Sequence, residues 1–319
     1  MDSMENRIPA QKKLHADWLF QHITQWLGLG LIILIVAILV TLVLASWPSI
    51  HTFGWHFLWS AEWDPAHNKF GGLVAIIGTL ITALIGVIIA VPLSFGIAVL
   101  ISEILPHKVG LVVARLVELM AGIPSIIYGM WGLFTLAPFL AKHVQPWLIM
   151  HCQHIPVLNY IFGGMPIGFG VFTAGIILAI MIIPLISSVM RDVLASVPTL
   201  LREAAYGVGA TRWEVVWNIL LHYTRAGLLG GIILGLGRAL GETMAVTFVV
   251  GNSHQLFASL FMPGTTISAT IANEFSEATG KLYPAALMEL GLILFVITFV
   301  VLALSRALLK RGKARGGSL

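Results

Sequence analysis

The stretch LVAIIGTLITALIGVIIAVPLSFGIAVLI, residues 73–101, runs its whole length without an Asp, Glu, Lys or Arg. At about 1.5 Å per residue such a helix is longer than the roughly 30 Å of a bilayer's hydrocarbon core. Unpaired backbone amides are costly in lipid, so a run this apolar has to be helical. Similar stretches lie at 26–46, 111–140, 169–190, 227–250 and 284–308. Together they predict an all-α fold, a polytopic bundle of about six transmembrane helices. The composition agrees: of 319 residues 58% are hydrophobic and only 10% charged, with a mean hydropathy of +0.95. A soluble domain carries about 25% charged residues because its surface faces water.

The run from Leu27 to Ser46 is longer than the apolar core of a signal peptide and has no small-x-small cleavage site after it, so it reads as the first span. Orientation follows from the positive charges. With the N-terminus inside, the cytoplasmic segments hold Arg7, Lys12, Lys13, Lys108, Arg115, Arg191, Arg202, Arg212, Arg225, Arg306, Lys310, Arg311, Lys313 and Arg315. The outer loops then hold only Lys69, Lys142 and Lys281. That asymmetry places both termini in the cytoplasm. The chain divides into a polar tail at 1–25, a six-span body at 26–308 with a long inner loop at 191–226, and a basic tail at 309–319. The basic balance, pI about 9.3, is a topology signal and a contact with anionic lipid, not a nucleic-acid footprint. One cysteine, Cys152, excludes an intrachain disulfide.

Within the spans, Pro92, Pro124 and Pro184 predict kinks. Trp55, Trp59 and Trp63 recur every four residues, which predicts an interfacial helix on the outer leaflet. The segment 251–282, with Met262-Pro263-Gly264, is a candidate to re-enter the protein.

The chemistry is bounded first by what is missing. The only Gly-Lys pair, Gly280-Lys281, is followed by Leu282, and Phe275 stands where a P-loop begins with glycine. No ATP site and no catalytic residue is expected. His143, His151, Cys152 and His154 have metal-ligand chemistry, but their spacing matches no zinc pattern, and no metal site is predicted.

Two stretches carry more. The inner loop holds Glu203-Ala204-Ala205-Tyr206-Gly207-Val208-Gly209, where Gly209 lets the backbone turn between two helices. The fifth span holds Gly227, Gly231 and Gly235, a stripe that allows close helix approach, followed by Arg238 and Glu242. Arg238 lies about 20 Å along the helix from Arg225. A charge at that depth costs at least about 2.5 kcal/mol, so it must face protein or water. Glu242, one turn on, can pair with it. The pair is then either an internal lock between helices or a site for an anion, whose oxygens match the guanidinium fork. Glu289, about 9 Å into the last span, is a candidate partner at the same level. Glu118 follows Arg115 by three residues, which predicts a local ion pair.

Glu203-Ala204-Ala205, Gly209 and Ile219-Leu220-Leu221 resemble the EAA loop of ABC importer permeases, with His222 where that pattern ends in proline. The resemblance implies a type I importer permease fold, in which Glu203, Ala204, Ala205 and Gly209 belong to a coupling helix that docks on a separate ATPase. Residues 122–132 (GIPSIIYGMWG), 190–193 (MRDV) and 236–246 (LGRALGETMAV) resemble the narrower group of phosphate-specific importer permeases, of the PstC type. That resemblance implies import of inorganic phosphate across a bacterial inner membrane, beside a second permease of the PstA type. It also implies an ATPase dimer of the PstB type, which holds the ATP and Mg, and a periplasmic binding protein of the PstS type. This chain itself holds no cofactor. Two other readings compete: a self-sufficient secondary anion transporter with Arg238, Glu242 and Glu289 as a relay, and a scaffold in which the Arg238–Glu242 pair is purely structural.

Overall fold

The protein is seen in a computed structural model that describes the backbone of residues 10–152 and 154–316 and the side chains of 17–152 and 154–307. Arg7 and the side chains of Lys12, Lys13, Lys310, Arg311, Lys313 and Arg315 lie outside the described residues. Among the described residues there is no strand, only the isolated bridges Asp64–Lys69 and Gly251–Gly264.

Five continuous helices are long and apolar enough to cross a membrane: Asp17–Phe53, Leu73–Ile104, Val171–Ala195, Arg212–Leu240 and Leu282–Ala307. A pair of helices, His107–Ala121 and Ser125–Cys152, passes the same test together and is bent by 89°. Counted as one span, that broken pair is the sixth, the third in chain order. The first helix begins at Ala10, inside the stretch read as a tail, and the last helix runs on to Gly316.

The fourth span is the axis of the bundle. Gly175 on it allows contact with the second span, because a Cβ there would sit 2.5 Å from the Ile85 side chain. Ala83, Ala90, Ala179, Ile182 and Ile186 form the adjoining core. In lipid the hydrophobic effect adds little between helices, so small residues that let backbones approach are what hold them. The predicted glycine stripe of the fifth span works in this way against the fourth. Added Cβ atoms would meet Val193 at Gly227, Val189 at Gly231 and Ile186 at Gly235. The tightest approach is at Gly235, 2.4 Å from Ile186 Cδ1. Gly235→Val is therefore expected to cost about 1–3 kcal/mol by overpacking. A lower thermal midpoint of the purified protein, restored by adding Ile186→Ala, would verify the contact.

Pro92 and Pro184 stay inside continuous helices. Pro124 does more than kink: the helix stops at Ala121 and restarts at Ser125. Gly122 and the ring of Pro124 together remove the helical continuity that an isolated proline would only bend. Tyr128 donates to the carbonyl of Met120, 2.8 Å away, which also accepts the N–H of Ile123, and so ties the two arms together across the break.

The end of the bundle carrying the Thr199–Gly207 helix is called the loop end below, and the opposite end the far end. At the far end the segment 251–266 is built into the protein. Phe261, Thr265 and Thr266 are buried, and just after the segment Ile267 N–H donates to Thr79 Oγ1 at 2.9 Å. The tryptophan helix is shorter than its spacing predicts. It covers only His56–Trp59, with Trp55 and Trp59 exposed. Trp63 leaves that line, stacks on His254 at 5.1 Å and donates to Glu274 Oε2 at 2.8 Å. The period of four was met by a turn and an extended stretch, and burial of the indole decided its place.

Glu274 also receives His254 Nε2 at 2.6 Å and Tyr283 O–H at 2.6 Å. Burial raises the pKa of this carboxyl, but the hydrogen bonds from His254, Tyr283 and Trp63 outweigh it and hold the group below its ordinary value. A depressed carboxylate contributes stability that is complete above the unfolded value of about 4.5 and is lost as pH falls through the lower folded value. Glu274→Gln is expected to cost about 2 kcal/mol at neutral pH. The difference in melting point between wild type and this variant should shrink below about pH 4, which a pH series of thermal melts would measure.

Candidate transport and coupling sites

The fifth span does not reach residue 250. Its helix ends at Leu240, turns through Gly241–Thr243, and a short helix follows at Met244–Val249. Glu242 Oε1 accepts the N–H of Ala245 at 3.4 Å, a cap on that short helix. The predicted pair one turn apart is thereby replaced, because the helix that would have aligned the two side chains has ended. Among the described residues Arg238 makes no ion pair. It is exposed on the bundle surface, near enough for its charge to act on the Tyr128 phenol.

The break in the fifth span sits beside the break in the third. The short helix packs on Ser125–Trp131, and a Cβ on Gly129 would lie 3.0 Å from the Ala245 Cα. Tyr128, Ala245, Val246 and Val249 share one buried cluster. Two interrupted helices thus meet near an uncompensated guanidinium at the depth of the spans. A cation in that position must be covered by water, by an anion or by another chain.

Glu289 is elsewhere. It is buried in an apolar groove of about 830 Å³ lined by Ile50, Trp55, Trp59, Ile76 and Ile293, among others. Its Oε2 has no hydrogen-bond partner. Sequence depth alone placed it level with Glu242, but helix rotation turns it toward the first and second spans. Among the described residues no hydrogen bond or ion pair joins Arg238, Glu242 and Glu289.

At the loop end, the inner loop folds as the helix Thr199–Gly207, a turn, and a second helix starting at Arg212. Gly209 has φ +85°, which a side chain would resist. Thr211 and Glu214 close a capping box: Glu214 N–H donates to Thr211 Oγ1 at 3.3 Å, and Thr211 N–H to Glu214 Oε2 at 2.8 Å. The helix then runs straight through His222, with a wide π-type turn at Val215–Leu220. Ala205 is buried against a core that includes Val215 and Val216, while Leu200 and Val208 are strongly exposed. Glu203, Ala204 and Gly209 are exposed as well.

The helix is tied to the spans by Arg202, a residue that sequence reading counted only as a positive charge. Its guanidinium donates to the Leu194 carbonyl at 2.6 Å and makes an ion pair with Glu103 at 3.1 Å. That pair is too poorly aligned to serve Glu103 Oε1 as a hydrogen bond. Glu118 pairs with Arg191 at 2.9 Å and not with Arg115. The long-range partner on the fourth span won over the neighbour three residues away.

His143 and His151 stack on Phe139 and Trp147 along one helical arm. Among the described residues no three His, Cys, Asp or Glu side chains converge to hold a metal ion.

Residues 90–313 match the family described as binding-protein-dependent transport system inner membrane component. The chain is 52% identical over 301 residues to the phosphate transport system permease protein PstC of Pasteurella multocida, covering 94% of each chain. It is also 52% identical over 302 residues to the protein of that name from Mesorhizobium japonicum, covering 95% of this chain and 92% of the relative. Among solved structures, a chain of a bacterial alginate ABC transporter superposes with a TM-score of 0.61 and 17% identity, covering 95% of this chain and 97% of that one. At that identity the likeness is one of fold.

Proposed function

We propose, on the premise that this chain belongs to the family of binding-protein-dependent transport system inner membrane components, that it is the permease subunit of an ATP-driven phosphate importer. The observation that carries the reading is the 52% identity to phosphate permeases over nearly the full length of both chains. That span includes both interrupted helices and the coupling loop.

In this reading the chain crosses the plasma membrane with both termini in the cytoplasm and pairs with a second permease. The exposed Arg238 faces the path between the two permeases, where partner and water offset its charge. Phosphate crosses that path with its oxygens against the guanidinium, and no bond to it is made or broken. Glu242 holds the short helix in place beside the path. The Thr199–Gly207 helix rests in a groove of a cytoplasmic ATPase dimer, which holds ATP and Mg, and a periplasmic binding protein delivers the ion at the far end.

The test is uptake into proteoliposomes by the reconstituted complex. Phosphate should accumulate only with ATP inside and binding protein outside, with sulfate and molybdate left behind. Phosphate accumulation by this chain alone under a proton gradient, or equal uptake of sulfate, would overturn the assignment.

A further inference from the structure

We infer that the loop end carries a second anion site, a pocket for a phosphoryl group supplied by an anionic phospholipid headgroup or by free phosphate. The pocket has a volume of about 530 Å³ and lies among the first arm of the third span, the ends of the second and fourth spans, and the Thr199–Gly207 helix. Arg115, Arg191 and Arg202 all line it, against a single lining carboxylate, Glu118.

Two of the three arginines are occupied. Arg191 holds Glu118 at 2.9 Å and Asp192 at 2.8 Å, and Arg202 holds Glu103 and the Leu194 carbonyl. Arg115 has no hydrogen bond or ion pair among the described residues. Two further polar atoms of the wall, Ser102 Oγ and Arg202 Nε, are buried without a partner. A buried donor left unpaired is costly, and ordinarily something answers it. Here a free guanidinium, an unpaired guanidinium N–H and an unpaired hydroxyl share one pocket. All three can donate, and none has an acceptor; the one unpaired acceptor nearby, Glu103 Oε1, is not among the residues that line the pocket. A phosphoryl group offers several oxygens in a geometry that suits the guanidinium fork.

The surroundings indicate how such a group would arrive. The helix that carries Arg115 is amphipathic, and Leu111, Val112, Leu116 and Leu119 are exposed beside it. An exposed apolar face beside a basic edge suits the level at which this arm of the span meets the phospholipid headgroups. The pocket is also open at the protein surface, so a free ion can enter. Nothing in the pocket depends on which ion the protein carries. Because Arg202 belongs both to the pocket and to the tie on the coupling helix, occupancy would bear on how that helix is held.

The experiment uses the purified transport complex without its binding protein. One arm places it in phosphatidylcholine nanodiscs with a minority of phosphatidylglycerol, extracts it, and measures retained lipid by mass spectrometry. The other arm delipidates the complex and measures equilibrium binding of radiolabelled inorganic phosphate. Both are repeated with Arg115→Gln and Arg115→Lys; Arg115 is exposed and unpaired, so the variants should assemble. Lipid retention that favours phosphatidylglycerol, falls at least about fivefold in Arg115→Gln and recovers partly in Arg115→Lys identifies the lipid as source. A comparable fall in phosphate binding without lipid preference identifies the free ion. Retention and phosphate binding that are both indifferent to Arg115→Gln would overturn the inference.

Discussion

Replacing Arg238 with glutamine is expected to lower ATP-driven phosphate uptake about a hundredfold while the complex still assembles. The magnitude corresponds to about 2.7 kcal/mol, within reach of one or two charge-assisted hydrogen bonds lost from the ion's path. The structure separates this outcome from a folding defect. Glu242 caps the Met244–Val249 helix and does not depend on Arg238, so neutralising the arginine leaves no buried carboxylate behind. An arginine that merely locked two helices would behave differently: its loss would lower the melting point and the yield of complex together. Arg238→Lys keeps the charge and loses the fork, and about tenfold is the expected decrease. Uptake by Arg238→Gln at the wild-type rate, in a complex that melts normally, would remove the residue from the path.

How far the sequence discloses this arrangement differs from one residue to the next. The spans were legible because hydrocarbon admits helices and little else, and a stretch like 73–101 leaves no choice. The packing of the fifth span on the fourth was legible too, since Gly227, Gly231 and Gly235 share one face. The two breaks were not. Gly122 to Pro124 reads as a kink, and only the 89° bend reveals an interruption. Gly241 to Thr243 sits inside an apolar run with no proline, so periodicity carries the helix through it. What ends the helix is tertiary: the short helix turns away to pack on Gly129. Charges suffered most from this. Glu118 chose Arg191 from the fourth span, Glu289 rotated into a groove beside Trp55 and Trp59, and Trp63 left its row to donate to Glu274. Each of these depends on neighbours that lie far away in sequence, and spacing along one helix carries no information about them.

Enlarging Ala204 and enlarging Ala205 are expected to fail in different ways, although the two residues are adjacent and chemically identical. Ala205 is 8% exposed and packs in the core with Val215 and Val216. Ala205→Phe must force the coupling helix off that core, so the chain's own melting point should fall, with a cost of about 1–3 kcal/mol. Ala204 faces solvent, and in the isolated chain a phenyl ring there meets nothing. Ala204→Phe should therefore melt like wild type when purified alone. On the docking proposed above, the same ring in the complex would occupy space that the ATPase groove needs. Retention of the ATPase on affinity purification should drop at least about tenfold, a loss of about 1.4 kcal/mol or more, and uptake should fall with it. Glu203→Lys, also on the exposed face, should weaken retention without altering the melt. Tethering makes the contrast sharp: Arg202 fixes this helix to Glu103 and to the Leu194 carbonyl, so a push on its exposed face is passed to the second and fourth spans. If Ala204→Phe retains the ATPase and transports normally, the docking face lies elsewhere on the loop, and the exposed Leu200 and Val208 are the next positions where bulk should act.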